Sequence, residues 1–276
     1  MAGIIWLASY PKSGNTWMRV FLYNLLHGAD QENVINKIHT FNRGDSQVHL
    51  YNEVSDGDVS EYSLEQLAAL RPKMHHMLTR TSNDSVFVKT HCSLTKLAGE
   101  DQITMSATSG AICIVRNPLD VCISMAPHYG VSIDEAIEMM SDDDFMSGGG
   151  GGDVPYLVSS WSRNVESWTG QAENKKIHIV RYEDMANKPK KAFGAVAEFL
   201  GLKPPANVLK QAIKKSSFSN LQKQEQKFGF PERREHSSSF FRVGKANQWK
   251  KVLTQAQIDR VIEINQETMK RFNYLA

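Results

Sequence analysis

Short apolar runs and longer segments of periodic apolar residues follow one another along this chain. The short runs are typical of buried strands in a parallel sheet, and they lie at residues 4–9, 86–89, 111–116 and 176–181. Apolar residues at helical spacing predict helices at residues 15–26, 63–78, 118–125, 154–168, 189–200, 206–214 and 254–272. Because polar or helix-forming sequence follows each predicted strand, we expect an α/β fold with a central parallel sheet flanked by helices.

Two stretches, at residues 30–60 and 218–240, are polar and without a clear period, and they predict irregular surface structure. A run of five glycines, Gly148 to Gly152, follows three aspartates. Ordering a glycine run costs much conformational entropy, so we expect residues 141–153 to be mobile. The segment is either a flexible insertion or a lid over a bound substrate, and both interpretations stay open. The aspartates lack the spacing of a calcium-binding loop, so no metal site is predicted.

The chain has 276 residues, enough for one large α/β domain, and we expect a single domain over residues 1–276. A net charge of +2 is far from that of a nucleic-acid-binding protein, so we expect no nucleic-acid partner. Cys92, Cys113 and Cys122 have no CxxC spacing and are predicted to be reduced thiols. No apolar run reaches membrane-spanning length and the N-terminus has no basic signal region, so we expect a cytoplasmic protein.

The first predicted strand leads into a tight turn, Pro11-Lys12-Ser13-Gly14, and then into an apolar helix. Strand, small-residue loop and helix form the layout of a phosphate-binding site, because backbone N–H groups at the helix start face the anion. The loop is not a Walker A motif, in which the lysine directly precedes Ser or Thr. Lys12 precedes the glycine instead, so we expect it to face a different atom of the ligand.

Polar residues also follow the second predicted strand, as Lys89-Thr90-His91. In open parallel sheets, ligands bind outside the carboxyl ends of the strands, so we expect Lys89 and His91 to face the same crevice as Lys12. The residues alone leave a role as surface polarity open. Arg116 ends the third predicted strand, and an arginine suits a pair of phosphate oxygens. A helix-capping role for Arg116 also stays open.

The order Tyr-Pro-Lys-Ser-Gly-Asn-Thr-Trp at residues 10–17 resembles the 5′-phosphosulfate-binding loop of sulfotransferases that use 3′-phosphoadenosine 5′-phosphosulfate (PAPS). Further motifs of that family follow in the same order, at residues 89–91, 112–124, 182–184 and 240–249. The resemblance spans residues 4–259. The sequence is therefore identified as a member of the PAPS-dependent sulfotransferases of the cytosolic or bacterial small-molecule type, which include glycopeptide-modifying relatives.

The resemblance implies a catalytic set in which His91 is the general base and Lys12 and Lys89 stabilise developing negative charge. It implies that Arg116 and Ser124 bind the 3′-phosphate of PAPS. The implied co-substrate-binding set comprises Lys12, Ser13, Gly14, Asn15, Thr16, Trp17, Arg116, Ser124, Tyr182, Ser216, Phe218, Arg242 and Gly244. Because the lysines neutralise the transferred group, no metal is expected.

The chain departs from the family pattern at three places. Val243 replaces the lysine of the Arg-Lys-Gly motif, and Lys245 is the nearest substitute. Pro127 is expected to end its helix early, which changes the wall on the acceptor side. The dimer motif is imperfect at Gln255 and Asp259, so the oligomeric state is left open.

The resemblance implies transfer of a sulfuryl group from PAPS to a hydroxyl of a small-molecule or natural-product acceptor. Two alternatives remain: a P-loop kinase that uses ATP and Mg²⁺, and a non-catalytic nucleotide-binding module. Arg116 with Ser124 argues against the kinase, because ATP has no 3′-phosphate. The presence of His91 and Lys12 argues against the non-catalytic module. The sequence does not identify the acceptor.

Overall fold

A computed structural model describes the protein at residues 3–29, 31–150, 152–170, 176–234 and 237–275. Its β-strands are β1 Ile4–Ser9, β2 Asn42–Gly44, β3 Val86–Thr90, β4 Lys96–Leu97, β5 Glu100–Asp101, β6 Thr108–Val115, β7 Met146–Ser147, β8 Tyr156–Leu157 and β9 Ile177–Arg181. Its α-helices are α1 Asn15–His27, α2 Val34–Phe41, α3 Val48–Asn52, α4 Leu64–Thr79, α5 Pro118–Tyr129, α6 Ile133–Ser141, α7 Trp161–Thr169, α8 Tyr182–Asn187, α9 Pro189–Phe199, α10 Ala206–Lys215, α11 Phe218–Phe228, α12 Trp249–Val252 and α13 Gln255–Arg271.

Five of the strands form a parallel sheet in the order β2-β3-β1-β6-β9. In its register Ile4 of β1 lies opposite Val86 of β3, and Asn42 of β2 lies opposite Phe87. Strand β6 is buried along its last six residues, as the continuous apolar sequence of a covered parallel strand requires. The predicted α/β fold with a central parallel sheet and flanking helices is confirmed, with each of the four predicted strands in place.

The described residues divide into two compact units, each assembled from three stretches of the chain. Unit 1 contains the described residues of Met1–Tyr10, Asn42–Cys113 and Met140–Ile179, and unit 2 contains those of Pro11–Phe41, Ile114–Met139 and Val180–Ala276. Neither unit is a continuous segment of the sequence. The prediction of a single domain stays a prediction.

The core of unit 1 is built around large buried side chains. The Trp6 indole packs edge-on against His75, with ring centroids 4.9 Å apart, and its Nε1–H donates to the Thr108 hydroxyl at 2.8 Å. Trp168 is also buried, and its Nε1–H donates to the Cys92 carbonyl at 2.9 Å. The indoles of Trp6 and Trp168 therefore each have a partner for the N–H, which removes the cost of burying an unpaired donor there.

The core of unit 2 surrounds α1, which is buried along most of its length and packs against α2 and α10. This explains why its sequence is apolar nearly all round rather than on one face. An apolar cluster joins α1 to α2 and α11, and it comprises Val20, Tyr23, Val34, Ile35, Ile38, Leu221, Phe230 and Phe241.

The structure corrects several of the predicted elements. Helix α5 continues past Pro127 to Tyr129, so the prediction that this proline ends the helix early was wrong. Proline removes only the backbone donor at its own position, and the two residues that follow it keep helical geometry until left-handed Gly130 ends the helix. The helix predicted over residues 154–168 starts at Trp161, because β8 occupies Tyr156–Leu157.

The two stretches predicted to be irregular contain regular structure. Residues 30–60 include α2, β2 and α3, and residues 218–240 include α11. Helix α11 has only Leu221 and Glu225 buried, so its sequence is polar over most of its surface. A weak apolar stripe gives little periodic signal, and this is the reason the helix was missed.

Gly148, Gly149, Gly150 and Gly152 lie between the two strands of a hairpin, and Gly151 lies outside the described residues. Strands β7 and β8 pair antiparallel, and the backbone N–H of Gly149 donates to the Asp153 carbonyl at 2.9 Å. The hairpin is bonded to the start of α3, because Val48 N–H donates to the Gly152 carbonyl at 2.8 Å and the Ser46 hydroxyl donates to Asp153 at 2.8 Å. Mobility of residues 141–153 and the role of a lid stay predictions.

The three cysteines are buried free thiols. Burial raises the pKa of Cys113 to about 12 and of Cys122 to about 12, and it also raises the pKa of Cys92. Thiols with raised pKa values are poor nucleophiles. We therefore assign Cys92, the neighbour of His91 in the chain, a structural role rather than that of a nucleophile. Within the described residues, every helix is too short or too polar to cross a lipid bilayer.

Candidate functional site

Lys89 and His91 belong to unit 1, and all other candidate residues belong to unit 2. In unit 2 the turn after β1 has two residues in the left-handed region, Lys12 with φ 63° and Gly14 with φ 106°. Gly14 caps α1, and its carbonyl accepts the first helical hydrogen bond from Met18 N–H at 3.2 Å. The first N–H groups of α1 therefore have no helical acceptor, which is the arrangement that binds phosphate.

Gly14 is required by both conformation and space. A Cβ atom at this position would lie 2.8 Å from Cδ2 of Tyr182, well inside van der Waals contact. The left-handed conformation adds a second cost for any other residue. The Tyr182 ring therefore packs directly on the backbone of the candidate phosphate-binding loop, residues 11–17, which is called the phosphate loop below.

Replacing Gly14 by alanine is expected to lower the free energy of unfolding by roughly 1–3 kcal/mol and to weaken nucleotide binding, because the loop must move away from Tyr182. Urea unfolding and calorimetry measure the two effects. Gly201→Ala is the matched control, since Gly201 has φ 71° but open space around its Cα. If both variants lose the same stability and keep the same nucleotide affinity, the contact with Tyr182 has no role.

Arg116 connects the phosphate loop to the start of α5. It is buried, its Nη1 donates to the Lys12 carbonyl at 2.9 Å, and its guanidinium lies 4.3 Å from the centroid of the Tyr182 ring. The turn beyond it is fixed by Asn117, whose side chain accepts from the Leu119 N–H at 3.0 Å. Ser124 lies further along α5 and is half-buried. Arg116 and Lys12 are thus brought together within unit 2, and their roles in binding phosphate stay predictions.

Glu183 supports the same turn and was missed as a functional candidate. Its carboxylate accepts the Asn117 N–H at 3.0 Å and the Tyr274 hydroxyl at 2.9 Å. Burial raises the pKa of Glu183, although these two donors oppose the shift. The sequence signal was its place directly after Tyr182 in the Tyr-Glu-Asp motif.

Two candidate adenine-binding aromatic residues lie together behind the loop. The rings of Trp17 and Tyr182 are 5.5 Å apart and meet edge-on, and Trp17 also contacts the Phe193 ring at 5.7 Å. Burial raises the pKa of Tyr182, and the Arg116 charge opposes that shift. These side chains form an apolar wall beside the start of α1.

The candidates at residues 216–244 are placed differently from one another. Ser216 is fully buried, and its hydroxyl donates to the Ala212 carbonyl at 2.7 Å and accepts from Asn24 Nδ2 at 3.0 Å. The hydroxyl proton of Ser216 is therefore already donated to the Ala212 carbonyl within the fold. The Phe218 ring lies against Gly244, so closely that a Cβ on Gly244 would overlap it.

Arg242 is exposed, and its carbonyl accepts from Gln222 Nε2 at 3.0 Å. Val243, which stands in place of the family's lysine, is 43% exposed. The segment that follows is held by Asp120, which sequence reasoning missed. The Asp120 carboxylate accepts N–H groups of Asn247 at 2.6 Å and Trp249 at 3.1 Å.

Lys12, Thr16 and Arg19, which lie in the phosphate loop and the first turns of α1, contact the segment after α11. The Thr16 hydroxyl donates to Glu232 Oε2 at 3.2 Å, and Arg19 Nη1 donates to Glu232 Oε1 at 2.7 Å. The Lys12 ammonium lies 3.9 Å from the centroid of the Phe240 ring. No local sequence pattern indicates Glu232, because it is 216 residues from Thr16 in the chain.

Several donors around the loop fit an anionic ligand. Ser13 Oγ, Trp17 Nε1 and Arg116 Nε are buried and have no hydrogen-bond partner within the described residues. Burying such donors unpaired is costly, and the oxygens of an anionic ligand are acceptors that would remove this cost. The residues present therefore fit a phosphorylated nucleotide.

In unit 1, His91 is oriented by the end of β1. Its Nδ1 lies 2.7 Å from the Ser9 carbonyl oxygen and 3.3 Å from the Ser9 hydroxyl. Because a carbonyl only accepts, the hydrogen bond places the proton on Nδ1 and makes Nε2 the basic nitrogen of the neutral ring. The neutral His91 ring therefore offers Nε2 as a proton acceptor.

The chain around His91 is fixed by polar contacts with buried residues. The Thr90 hydroxyl donates to Asp45 Oδ2 at 2.7 Å, and Asp45 N–H donates to the Lys89 carbonyl at 3.2 Å. Asn164 Nδ2 donates to the His91 carbonyl at 3.1 Å. Burial raises the pKa of Asp45, and the nearby Arg71 opposes the shift. Asp45 and Asn164 were missed, because both lie far from His91 in the sequence.

A comparison with protein families decides the class. The family model described as the sulfotransferase domain matches residues 3–273. The chain belongs to the sulfotransferase family. Family membership confirms the identification made from the sequence motifs and from the phosphate loop.

Characterised sulfotransferases are similar to this chain over most of its length. Sulfotransferase 1E1 of the guinea pig Cavia porcellus is 25% identical over 273 residues, which cover 96% of this chain and 82% of that protein. Sulfotransferase 1B1 of the dog is 27% identical over 274 residues, which cover 95% and 82%. Cytosolic sulfotransferase 13 of Arabidopsis thaliana is 24% identical over 270 residues, which cover 95% and 76%.

Solved structures of sulfotransferase-like proteins share the fold. Mouse sulfotransferase SULT7A1, complexed with PAP, matches with a TM-score of 0.65 and 21% identity over 97% of this chain and 84% of that one. Retinol dehydratase, in a complex with retinol and PAP, matches with a TM-score of 0.68 and 15% identity over 98% and 82%. At these identities the likeness shows the fold alone.

Proposed function

We propose that this sulfotransferase transfers the sulfuryl group of PAPS to a hydroxyl of a small-molecule or natural-product acceptor and releases 3′,5′-diphosphoadenosine (PAP). The hydrogen bond from Arg116 to the Lys12 carbonyl carries the proposal. It joins the candidate 3′-phosphate residue to the candidate 5′-phosphate loop, and PAPS has phosphates at both positions of one nucleoside. The structures of mouse SULT7A1 and retinol dehydratase contain PAP, which supports the same nucleotide here.

The candidate residues of unit 2 bind the nucleotide part of PAPS. Ser13 and the N–H groups at the start of α1 hold the 5′-phosphate, since the helix end favours an anion. Arg116 and Ser124 hold the 3′-phosphate, and the buried position of Arg116 strengthens its charge-assisted bonds. Trp17 and Tyr182 contact the adenine.

The chemistry is an in-line transfer that depends on positioning and charge stabilisation. The acceptor oxygen forms a bond to sulfur as the bond from sulfur to the phosphate oxygen breaks, and the acceptor proton passes to Nε2 of His91. The Nδ1–H of His91 donates to the Ser9 carbonyl and so stabilises the imidazolium that forms. Lys12 and Lys89 stabilise the charge on the leaving phosphate oxygen and on the sulfuryl oxygens.

A direct test incubates the protein with PAPS labelled in its sulfuryl group and a panel of phenols, alcohols and glycopeptides. We expect labelled product and an equal amount of PAP with at least one acceptor. A parallel arm replaces PAPS by ATP with Mg²⁺. Phosphorylated product in that arm, with none from PAPS, would support the kinase alternative. PAP binding without transfer to any acceptor would support the non-catalytic module.

Turnover with PAPS is expected to survive excess EDTA within a factor of about two, because the proposed charge stabilisation uses lysine side chains rather than a metal ion. The measurement compares initial rates before and after dialysis against EDTA, with a Mg²⁺-dependent kinase as the control for chelation. An activity that is lost on dialysis and restored by Mg²⁺ would overturn this part of the proposal.

A further inference from the structure

The position of the Lys12 ammonium is defined by an aromatic ring. Lys12 Nζ lies 3.9 Å from the centroid of Phe240, well within the range of a favourable cation–π contact. The Lys12 backbone is held in the left-handed region at φ 63°, and its carbonyl accepts from Arg116. The backbone carbonyl and the side-chain ammonium of Lys12 therefore each have a defined contact in unit 2.

The Phe240 ring is itself held in place. The backbone N–H groups of Phe240 and Phe241 donate to the two carboxylate oxygens of Glu225, at 2.6 Å and 2.9 Å. Glu225 is buried on α11, so its bond to Phe241 is shielded from water and its bond to Phe240 is partly shielded. The ring also packs against Phe230 and Phe241, with centroid distances of 4.8 Å and 5.0 Å.

A second carboxylate, that of Glu232, anchors the segment between α11 and Phe240 to α1. The connecting segment is described at residues 229–234 and 237–241, and its Glu232 is paired with Arg19 at 2.7 Å. Arg19 is almost fully buried, so separating this pair would leave an uncompensated charge inside unit 2. Glu232 therefore fixes the connecting segment to α1, directly after the loop that bears Lys12.

From these contacts we infer that Phe240 is a positioning residue for Lys12. The ring restricts the long lysine side chain, so less of its rotational freedom must be lost when charge develops on the transferred group. The inference rests on the proposed function, which gives Lys12 its role in stabilising charge.

Phe240→Leu tests the inference by removing the aromatic face and keeping an apolar side chain. We expect kcat to fall by about 2- to 30-fold, the factor that corresponds to the usual strength of a cation–π contact. The affinity for PAP should stay within twofold, because PAP lacks the transferred sulfuryl group. Phe240→Tyr keeps the ring face and should restore kcat.

Phe228→Leu is the matched control, because the ring of half-buried Phe228 lies 4.7 Å from the ammonium of exposed Lys227 at the end of α11. It removes a similar contact and should leave kcat unchanged. A second readout is NMR of protein labelled at the lysine ε-carbons. The ring current of Phe240 should shift the Lys12 resonance, assigned with Lys12→Met, and Phe240→Leu should move that resonance while Phe228→Leu does not.

The outcomes separate the inference from the proposed function. If Lys12→Met keeps full turnover, the charge-stabilising role of Lys12 is wrong. If Lys12→Met is inactive but Phe240→Leu matches the unsubstituted protein in kcat and in the Lys12 resonance, the positioning role is wrong. An equal loss of kcat and PAP affinity in Phe240→Leu would make Phe240 structural and would also overturn the inference. If that variant does not fold, Phe240→Met carries the same test.

Discussion

Replacing His91 by alanine is expected to lower kcat by roughly 10²- to 10⁴-fold, the usual effect of losing a positioned general base. The geometry favours this role, because the bond from Nδ1 to the Ser9 carbonyl makes Nε2 the basic nitrogen. PAP affinity should barely change, since the residues proposed to bind the phosphates are others. Steady-state kinetics with an aliphatic alcohol acceptor and calorimetry with PAP measure the two quantities.

The acidity of the acceptor gives an internal control for His91. A phenol is already acidic and should lose less rate than an alcohol when the base is removed. His76→Ala is the matched substitution, because His76 is exposed near the end of α4 and its ring is hydrogen-bonded to the exposed Ser106 hydroxyl. Near-full turnover of His91→Ala on an alcohol would exclude the base role. Loss of PAP binding would instead indicate a structural role.

Arg116→Ala is expected to remove most of the preference for PAP over AMP, roughly 2–4 kcal/mol for a charge-assisted phosphate contact. This corresponds to roughly 30- to 700-fold in the ratio of the two dissociation constants. The substitution also removes the bond to the Lys12 carbonyl, so affinity for both nucleotides should fall. The ratio isolates the contribution of the 3′-phosphate, and calorimetry with each nucleotide provides it.

Arg116→Lys keeps the charge but cannot form the planar pair of bonds, so we expect an intermediate preference for PAP. Arg163→Ala controls for the loss of one positive charge, because Arg163 is exposed and paired with Asp143 in unit 1. Equal affinities of the unsubstituted protein for PAP and AMP would exclude PAPS recognition through Arg116. An unchanged ratio in Arg116→Ala would assign the 3′-phosphate to other residues.

The parts of the site that the sequence predicted are those encoded by neighbouring residues. Strand β1 lies at Ile4–Ser9, as predicted, and α1 begins at Asn15 because Gly14 and the small turn residues set the backbone locally. Arg116 and Pro118 likewise mark the end of β6 and the start of α5. In each case the backbone preference and the apolar pattern favour the same structure.

The parts that were missed depend on residues distant in the chain. Glu232 pairs with Arg19 across 213 positions, and Asp120 holds Asn247 across 127. A single carboxylate carries no periodic pattern, so its partner becomes visible only in three dimensions. The prediction at Pro127 failed for a related reason: the propensity of one residue was outweighed by the remainder of an otherwise well-formed helix.

The Glu183 carboxylate accepts both the Asn117 N–H and the Tyr274 hydroxyl, so a residue that follows α13 is tied to the turn next to Arg116. Removing the Tyr274 hydroxyl would leave this buried carboxylate with one donor fewer and would loosen the turn. Substitution at Tyr274 is therefore a way to alter the turn without changing any residue that is proposed to contact the nucleotide.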